Sequence, residues 1–431
     1  MSKSIVKLGV IGFGTVGVGV YNLLEENRRE IMQKLGAELV ISKIAVRDIG
    51  KPRSINIPPG LLTENVNSIL QDPAIDIVVE VMGGIDRAKP IVLEALSRGK
   101  SVVTANKDLL AEHGKELFDT AREHGANIFF EASVGGGIPI IRSLKESLAA
   151  NKITKLIGIV NGTTNFILTK MMREGADLAD ALNLAQALGY AETDPTSDIE
   201  GLDAARKLSI LASISFNTRV TFKDVYSQGI TDISAHDITY AKELGYVVKL
   251  LAIAVTTGSE LEVRVHPAFL PKEHPLASVN DVFNAIFVTG NYVGETMFYG
   301  RGAGAKPTAS AVVSDVMAAA KSVIQGDCSL NPCTCFEGKR IKPISEVESR
   351  FYLRMLVKDR PGVLAGIASV FGNQGVSLAI VLQKRSVGEF AEIVLITHKV
   401  LEAHFQDALC IIEGLSSVVE ISNIIRVEEA D

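Results

Sequence analysis

A glycine-rich turn near the N-terminus constrains the fold of this chain more than any other feature. The apolar, strand-like segment 5–11 runs into Gly12-Phe13-Gly14-Thr15-Val16-Gly17, and a helical segment follows to about residue 27. G-x-G-x-x-G is a weak signal alone, but between a strand and a helix of a βαβ unit it is typical of dinucleotide binding. The glycines permit a tight turn, approach of a pyrophosphate and close helix packing, and the helix N-terminus attracts the anion. We therefore predict a Rossmann domain.

The following segments extend the same pattern. Strand-like runs at 37–46, 75–81, 101–104 and 127–130 alternate with helix-like runs at 88–98 and 109–124. Strands that alternate with helices predict a parallel, doubly wound sheet. We assign residues 1–130 to this Rossmann domain and the chain as a whole to the α/β class.

The pattern changes after residue 130, at Gly135-Gly136-Gly137. Residues 131–325 are predicted to form an α+β domain, and the polar residues 326–348 a linker. Residues 349–431 show a βαββαβ order, which is ferredoxin-like. The predicted segments after residue 130 are helices at 139–150, 163–173, 177–188, 199–215 and 308–324, and strands at 153–160, 247–256, 261–266, 283–290 and 295–299.

The overall charge and hydropathy exclude several classes of protein. The net charge of −6 argues against a nucleic-acid partner, which requires clustered excess Lys and Arg. The sequence has no uninterrupted run of 18 apolar residues, so a transmembrane helix is not expected. The N-terminus lacks the pattern of a signal peptide. We expect a cytoplasmic protein with no membrane partner.

The end of the second predicted strand bears on the choice of coenzyme. An acidic residue there would bind the ribose 2′-hydroxyl of NAD, whereas an Arg would bind the 2′-phosphate of NADP. Arg47 and Asp48 are adjacent, and Lys51 and Arg53 add positive charge. We favour NADP, with NAD also possible, while a solvated surface role for Arg47 remains the alternative.

Three ionisable residues are candidates for the chemistry. Lys107 directly follows the fourth strand, at the edge of the sheet where ligands of open α/β sheets bind. Asp203 and Lys207 are four residues apart on one predicted helix and therefore share a face. A surface lysine and a solvated ion pair are the ordinary alternatives, but the apolar neighbours of Lys207 indicate that its helix is at least half buried.

The four cysteines, Cys328, Cys333, Cys335 and Cys410, all lie in the last quarter of the chain. Their spacing is not that of common zinc sites and no His lies near the first three, so free thiols are favoured over a metal site. Their absence from the catalytic region excludes a thioester mechanism such as that of aspartate semialdehyde dehydrogenase. The Lys–His pair of sugar-type reductases is also disfavoured, because His113 and His124 lie in a peripheral helix.

Several motifs in order resemble homoserine dehydrogenase over the whole chain. They are Gly12 to Gly17, Val103-Thr104-Ala105-Asn106-Lys107, Glu131-Ala132-Ser133-Val134-Gly135-Gly136-Gly137, Asn161-Gly162-Thr163-Thr164-Asn165, the run Glu192 to Lys207, and Gly302-Ala303-Gly304 leading to Pro307-Thr308-Ala309-Ser310. The resemblance implies that residues 131–325 are the catalytic and dimerisation domain. The resemblance implies reversible oxidation of L-homoserine to L-aspartate 4-semialdehyde with NAD(P). That reaction would serve threonine, methionine and isoleucine biosynthesis.

The same resemblance implies roles for individual residues. Lys207 corresponds to the acid/base and Lys107 to a second catalytic or binding lysine, which suits stabilisation of a developing alkoxide. Glu192 corresponds to the carboxylate that holds the substrate ammonium, and Asp203 to a second substrate contact. A monovalent cation, usually sodium, is implied on the backbone oxygens of Glu131, Val134, Gly136 and Ile138. Thr104, Gly189 and Gly304 are implied to line the cofactor cleft.

The C-terminal segment resembles an ACT domain. Asp359-Arg360-Pro361-Gly362-Val363-Leu364 and then Asn373-Gln374-Gly375-Val376 follow its usual pattern. The resemblance implies either a sensor, with L-threonine as the expected effector, or an assembly module of a homodimer or homotetramer. We expect that deletion from about residue 345 leaves an active enzyme insensitive to threonine. The rival from another class is a non-catalytic amino-acid sensor, against which the retained Lys107, Glu192, Asp203 and Lys207 argue.

Overall fold

The computed structural model describes residues 3–326 and 333–429. Cys328 and part of the predicted linker lie outside the described residues. The helices are α1 (Thr15–Glu26), α2 (Arg28–Leu35), α3 (Asn67–Leu70), α4 (Ala88–Ser97), α5 (Lys107–Glu123), α6 (Ile140–Arg142), α7 (Gly162–Glu174), α8 (Leu178–Ala187), α9 (Thr196–Ile199), α10 (Leu202–Ser215), α11 (Ala235–Glu243), α12 (Ala305–Gln325), α13 (Val363–Asn373) and α14 (Glu402–Glu413).

The strands form two separate sheets. They are β1 (Ile5–Ile11), β2 (Glu38–Ala45), β3 (Leu62–Thr63), β4 (Ile77–Glu80), β5 (Ser101–Thr104), β6 (Ile128–Phe129), β7 (Ile153–Ile159), β8 (Tyr226–Ser227), β9 (Tyr246–Thr257), β10 (Glu260–Pro271), β11 (Phe283–Gly290), β12 (Gly294–Arg301), β13 (Arg340–Ile341), β14 (Glu348–Lys358), β15 (Leu378–Val387), β16 (Phe390–Thr397), β17 (Val400–Leu401) and β18 (Val418–Val427).

The described residues fall into two compact units. The first comprises the described parts of Met1–Ile153, Ser209–Phe222 and Asn284–Gly338, and the second those of Thr154–Leu208, Lys223–Phe283 and Lys339–Asp431. The predicted boundaries at residues 130, 325 and 348 remain predictions. In the described part of the chain, no helix is long and apolar enough to cross a membrane.

The first unit contains the predicted Rossmann fold. Its parallel sheet has the order β3-β2-β1-β4-β5-β6. β2 and β3 are added on one side of β1 and β4 to β6 on the other, so the topological switch point lies between β1 and β4. β1 is buried throughout its second half, from Leu8 to Ile11, as expected for a strand covered on both faces. The predicted parallel, doubly wound sheet is confirmed.

Helix α12 closes the core of the first unit, although it lies about 175 residues after the sheet in the sequence. Its small and β-branched residues, including Val312 and Val316, are fully buried in the same apolar cluster as β1. The approach is close enough that a Cβ on Gly19 would lie 2.8 Å from the Ala305 carbonyl oxygen. A glycine on α1 and alanines on α12 therefore let the two helices pack backbone to backbone.

The second unit is built on a mixed sheet that contains the ferredoxin-like domain. The path β7-β9-β10 is antiparallel, β10 then pairs in parallel with β18, and β18-β14-β16-β15 follows in antiparallel order. Strands β14, β15, β16 and β18 form the predicted βαββαβ fold together with α13 and α14. Its core includes stacked Phe351 and Phe405, with ring centroids 3.8 Å apart. The sheet of this ferredoxin-like domain, formed by β14, β15, β16 and β18, is therefore continuous with the sheet of the rest of the unit.

The prediction of one helix over 199–215 is wrong at its start. The structure has the short α9, a break at residues 200–201, and then α10. Gly201 adopts a left-handed φ of +76°, and a Cβ there would meet the Ser227 Oγ at 3.0 Å. This glycine turn separates the two helices and sets where α10 begins.

Candidate functional site

The glycine-rich turn lines a cavity of about 1190 Å³ in the first unit. Gly12 has a left-handed φ of +99°, and a Cβ there would lie 2.7 Å from the backbone nitrogen of Met82, so only glycine fits between β1 and the end of β4. A Cβ on Gly14 would meet nothing within 4 Å, because this glycine faces the open cavity. No side chain caps the N-terminus of α1, so its N–H groups are available to an anion. A dinucleotide fits this donor set.

The predicted cofactor residues divide into cavity-lining and supporting positions. Gly12, Phe13, Gly14, Thr15 and Arg47 line the cavity, together with Ala305, the neighbour of Gly304. Gly17 packs inward instead, since its Cβ would lie 2.5 Å from the Gly12 oxygen. Val16 packs against the core and Thr104 is fully buried, whereas Gly189 lies in the second unit.

The loop after β2 leaves Arg47 exposed, whereas the side chains of Asp48 and Arg53 form hydrogen bonds within the loop. Arg47 is exposed and has no hydrogen bond or ion pair among the described residues. The Asp48 carboxylate accepts from the Gly50 nitrogen at 2.7 Å, and Arg53 donates to the backbone oxygens of Asp48, Ile49 and Lys51 at 2.7–2.8 Å. Arg53 therefore holds the loop in shape, while Arg47 stays available for a phosphate.

Lys107 is the first residue of α5, in the first unit. Asn106 caps this helix by accepting from the Leu109 nitrogen at 3.1 Å and donates to the Gly84 oxygen at 2.6 Å. Buried Glu80 accepts from the Thr104 hydroxyl at 2.6 Å and from the Met82 nitrogen at 2.9 Å. These bonds connect the carboxyl ends of β4 and β5, so Lys107 extends from a rigid base.

The second unit buries a lysine within a cluster of carboxylates. Lys207 Nζ donates to Asp203 Oδ2 at 2.6 Å and to the Val160 carbonyl oxygen at 2.8 Å. The side chains of Lys207 and Asp203 are 13% and 10% exposed, which rules out a solvated surface pair. Val160 directly follows β7, so the end of that strand and the first turns of α10 together fix the ammonium.

Asn161 connects this pair to a further carboxylate. Its amide nitrogen donates to Asp203 Oδ2 at 2.9 Å and to Asp198 Oδ1 at 2.7 Å, while its amide oxygen caps α7 by accepting from the Thr164 nitrogen. Burial raises the pKa of Asp198, and the neighbouring Asp203 charge raises it further against the hydrogen bond from Asn161. Lys207 is thus one end of a hydrogen-bonded chain of four side chains.

The sequence analysis did not single out Asp198, and it named Asn161 only within the motif Asn161 to Asn165. The available signal was the Asn-Gly-Thr-Thr helix start at residues 161–164, an N-cap pattern whose amide nitrogen must find other acceptors. Glu192 differs from this cluster. It is exposed in the loop between α8 and α9, and its carboxylate has no partner among the described residues.

The predicted cation loop is buried in the first unit. Glu131, Val134, Gly136 and Ile138 are all buried, and Gly135 and Gly136 have left-handed φ values of +73° and +54°. The Glu131 carboxylate is occupied by the backbone nitrogens of Ile141 and Arg142 at 2.7 and 2.8 Å. Carbonyl oxygens of the loop are therefore the candidate ligands, and neutral oxygens suit a hard ion of low charge. The described residues contain no cluster of three or more His, Cys, Asp or Glu that could hold a metal.

Family models match three stretches of the chain. Homoserine dehydrogenase matches residues 139–317, its NAD-binding domain residues 12–131, and the ACT domain residues 351–414. The homoserine dehydrogenases of Bacillus subtilis and a Synechocystis species are 46% and 47% identical, with 98% of this chain covered in each case and 98% and 99% of the relatives.

Solved structures agree with the sequence matches. A homoserine dehydrogenase from Thiobacillus denitrificans superposes with a TM-score of 0.94 at 41% identity, over 100% of both chains. A hyperthermophilic archaeal homoserine dehydrogenase in complex with NADPH gives a TM-score of 0.61 at 31% identity, over 73% of this chain and 97% of that one. The likeness to the first therefore extends through the ACT domain.

Proposed function

The chain belongs to the homoserine dehydrogenase family and is an oxidoreductase with an NAD-binding domain, and from this premise we propose how its residues carry out the reaction. The reaction interconverts L-homoserine and L-aspartate 4-semialdehyde. NADP held at the glycine-rich turn would supply a hydride acceptor for oxidation of the alcohol carbon and, in its reduced form, a hydride donor for the reverse reaction. The protein must then move one proton at the hydroxyl oxygen, and the buried Lys207 is the observation that carries the proposal.

Lys207 is suited to this proton transfer by its hydrogen bonds. An ammonium has three N–H donors, and Asp203 Oδ2 and the Val160 oxygen engage two of them. The third remains to donate to the substrate oxygen. In the reducing direction it protonates the alkoxide and its charge stabilises the developing anion, and in the oxidising direction the amine accepts the hydroxyl proton.

The carboxylates suit the amino-acid part of the substrate. Glu192 is exposed and its carboxylate has no partner in the part of the chain that the structure describes, so its charge is available to the substrate ammonium. Asp203 orients Lys207 and is proposed as a second substrate contact, and Asn161 restrains both Asp203 and Asp198. Lys107 is proposed as the second lysine of the reaction, supported by its fixed position at the start of α5.

We propose NADP as the preferred coenzyme. Arg47 is exposed and has no side-chain partner within residues 3–326 and 333–429, which fits the 2′-phosphate. Asp48, which would otherwise hold the 2′-hydroxyl of NAD, already accepts from the Gly50 nitrogen. The archaeal relative was solved with NADPH, which agrees with this preference.

A sodium ion on the carbonyl oxygens of Glu131, Val134, Gly136 and Ile138 is proposed as a structural cation. Two consecutive left-handed glycines and the occupied Glu131 carboxylate support carbonyl ligation there. The ion would stabilise the buried loop between β6 and α6. We further propose that the enzyme works as a homodimer or homotetramer in threonine, methionine and isoleucine biosynthesis.

Regulation by L-threonine through the ACT domain is proposed on a set of contacts within the second unit. We name residues 226–233 the strap. From β18, Asn423 donates to the Asp232 oxygen at 2.8 Å, and Arg426 donates to the Gln228 side-chain oxygen at 2.8 Å. The ACT sheet is therefore bonded directly to the strap.

The strap also contacts the start of α10. The Ser227 hydroxyl donates to the Glu200 oxygen at 3.1 Å, and the Ile230 nitrogen donates to the Ile199 oxygen at 2.8 Å. These two carbonyls directly precede the turn at Gly201, which in turn precedes Asp203. An effector that favours one arrangement of the ACT sheet can thus shift the position of Asp203 and Lys207 through the strap.

The test uses the full-length chain, with formation of reduced nicotinamide followed by absorbance. L-homoserine with NADP should support turnover, with kcat/KM at least about tenfold higher than with NAD, the size of one well-placed charged contact. L-2-aminobutyrate, which lacks the hydroxyl, is the matched control and should give none. Absence of turnover with homoserine and either coenzyme would refute the proposed reaction.

A further inference from the structure

Two cysteines share a cavity in the first unit, apart from the proposed cofactor cavity. Cys333 is exposed and Cys335 half-buried. The backbone around them is anchored, because the Glu337 nitrogen donates to the Asn217 oxygen at 2.7 Å and the Thr218 hydroxyl donates to the Glu337 oxygen at 2.9 Å. The rest of the cavity wall is largely apolar and includes Leu110, Ala111, Phe118, Phe130, Ile210 and Ile214.

Two cationic side chains line the same cavity. Lys145 lies over the Phe130 ring, with its Nζ 5.7 Å from the ring centroid, and burial lowers its pKa to about 8, so it is still protonated at neutral pH. Arg219 donates to the Leu110 oxygen at 3.5 Å. Cations beside a thiol favour its thiolate, which is the reactive form.

The two thiols differ in character. The neighbouring Cys335 thiol, by hydrogen bonding, and then Arg219 and Lys145 lower the pKa of Cys333 against the effect of burial. The same hydrogen bond and burial raise the pKa of Cys335. Cys333 is therefore the better nucleophile, and Cys335 is held as a protonated thiol beside it.

We propose that Cys333 and Cys335 form a thiol-modification site that reacts with small disulfides of the glutathione class. The Cys333 thiolate attacks one sulfur of the disulfide, which forms a mixed disulfide and releases one thiolate that takes up a proton. Cys335 then loses its proton and attacks the Cys333 sulfur, which releases the second small thiol. Two protein thiols are oxidised to one disulfide, and one small disulfide is reduced to two thiols.

The spacing permits this second step. Two residues of extended chain span at most about 7 Å, so the Cα atoms of residues 333 and 335 are always near the separation a disulfide requires. Closure of the bridge therefore needs only a local bend. The inference does not depend on the dehydrogenase activity, so it can fail or succeed independently of the proposed function.

The test compares Cys333 with Cys410, an exposed thiol on α14 that serves as an internal control. A Cys328→Ser background leaves Cys333, Cys335 and Cys410 as the thiols that can react. The full-length protein is exposed to glutathione disulfide between pH 6 and 8, quenched by alkylation, and each cysteine is quantified by peptide mass spectrometry. Cys333 should react at least about fivefold faster than Cys410 at pH 6, with a smaller ratio at pH 8, because its thiolate persists at lower pH.

Variants separate the two steps. Cys335→Ser should trap glutathione on Cys333, whereas the parent protein should end with a Cys333–Cys335 bridge. Lys145→Met, which preserves side-chain bulk, should slow Cys333 at pH 6 about threefold or more and leave Cys410 unchanged. Equal rates for Cys333 and Cys410, or a parent protein that keeps glutathione on Cys333 with Cys335 free, would overturn the proposal.

Discussion

Asp237 is a buried carboxylate on which the junction between α11 and the ACT sheet depends. It is fully buried near the N-terminus of α11. Its oxygens accept from Arg354 Nε at 2.8 Å, the Tyr352 hydroxyl at 3.1 Å, the Asn423 amide at 2.7 Å and the Ser234 hydroxyl at 2.6 Å. These donors come from α11, β14 and β18, so one side chain joins three elements.

Replacement of Asp237 by Ala should therefore destabilise the second unit strongly. Removal of one partner from a buried ion pair costs about 3–5 kcal/mol, because the remaining charge is left buried. Arg354 keeps Glu392 at 3.3 Å, which favours the lower end of that range. For a unit of about two hundred residues, such a loss lowers Tm by about 6–20 °C.

Guanidinium unfolding followed by circular dichroism measures this loss. Glu413→Ala, an exposed residue at the end of α14, is the control and should stay within about 0.5 kcal/mol of the parent. A loss below about 1 kcal/mol for Asp237→Ala would show that the network contributes little, and the reasoning from buried charge would be refuted.

The pH dependence of a second variant, Asp237→Asn, has a definite sign relative to the parent. Burial disfavours the charged form, but Arg354, Ser234 and Asn423 outweigh it and hold the pKa of Asp237 below its usual value. A depressed folded pKa contributes stability that is complete above the unfolded value of about 4 and is lost as pH falls through the folded value. The difference in stability between the parent and Asp237→Asn should therefore be constant from neutral pH to about pH 5 and shrink below about pH 4.

Three further predictions concern function. Lys207→Met should lower kcat by about 10²–10⁴-fold with little change in NADPH affinity by fluorescence titration. Lys242→Met, which replaces an exposed lysine on α11, should be nearly neutral. Near-normal kcat for Lys207→Met would remove Lys207 from the mechanism. Arg47→Ala should raise KM for NADP about tenfold or more and leave KM for NAD almost unchanged, and equal effects would contradict a 2′-phosphate contact. Gln228→Met should weaken inhibition by threonine severalfold at nearly constant kcat, compared with exposed Gln406→Met, and an unchanged inhibition curve would exclude the strap as the coupling segment.

The elements of the Rossmann and ACT folds could be predicted from local patterns, because alternating apolar runs and glycine turns act over short distances. β5 matches the predicted bounds 101–104. The parallel pairing of β10 with β18 could not be predicted, since it joins strands about 150 residues apart and no local pattern specifies a parallel neighbour. The short α9 was missed because a helix can tolerate a single internal glycine. The pattern alone therefore did not show that Gly201 ends one helix before the next begins.

The candidate site shows the same limit. The spacing of Asp203 and Lys207 indicated a shared helix face, and the structure confirms that they form a pair. The burial of that pair depends on the Val160 carbonyl and on Asn161, which lie more than forty residues away. Long-range hydrogen bonds of this kind leave no periodic signal in a sequence.

The shared sheet has a consequence for domain deletion. Without the ACT segment, Asp237 would lose Arg354, Tyr352 and Asn423 together, and Phe269, now fully buried with its ring 4.5 Å from that of Tyr352, would face water. The β10 edge that pairs with β18 would also be left open, and an open, apolar strand edge is a template for aggregation. A truncated enzyme is therefore expected to precipitate during expression, so insensitivity to threonine is better sought through point variants of the strap.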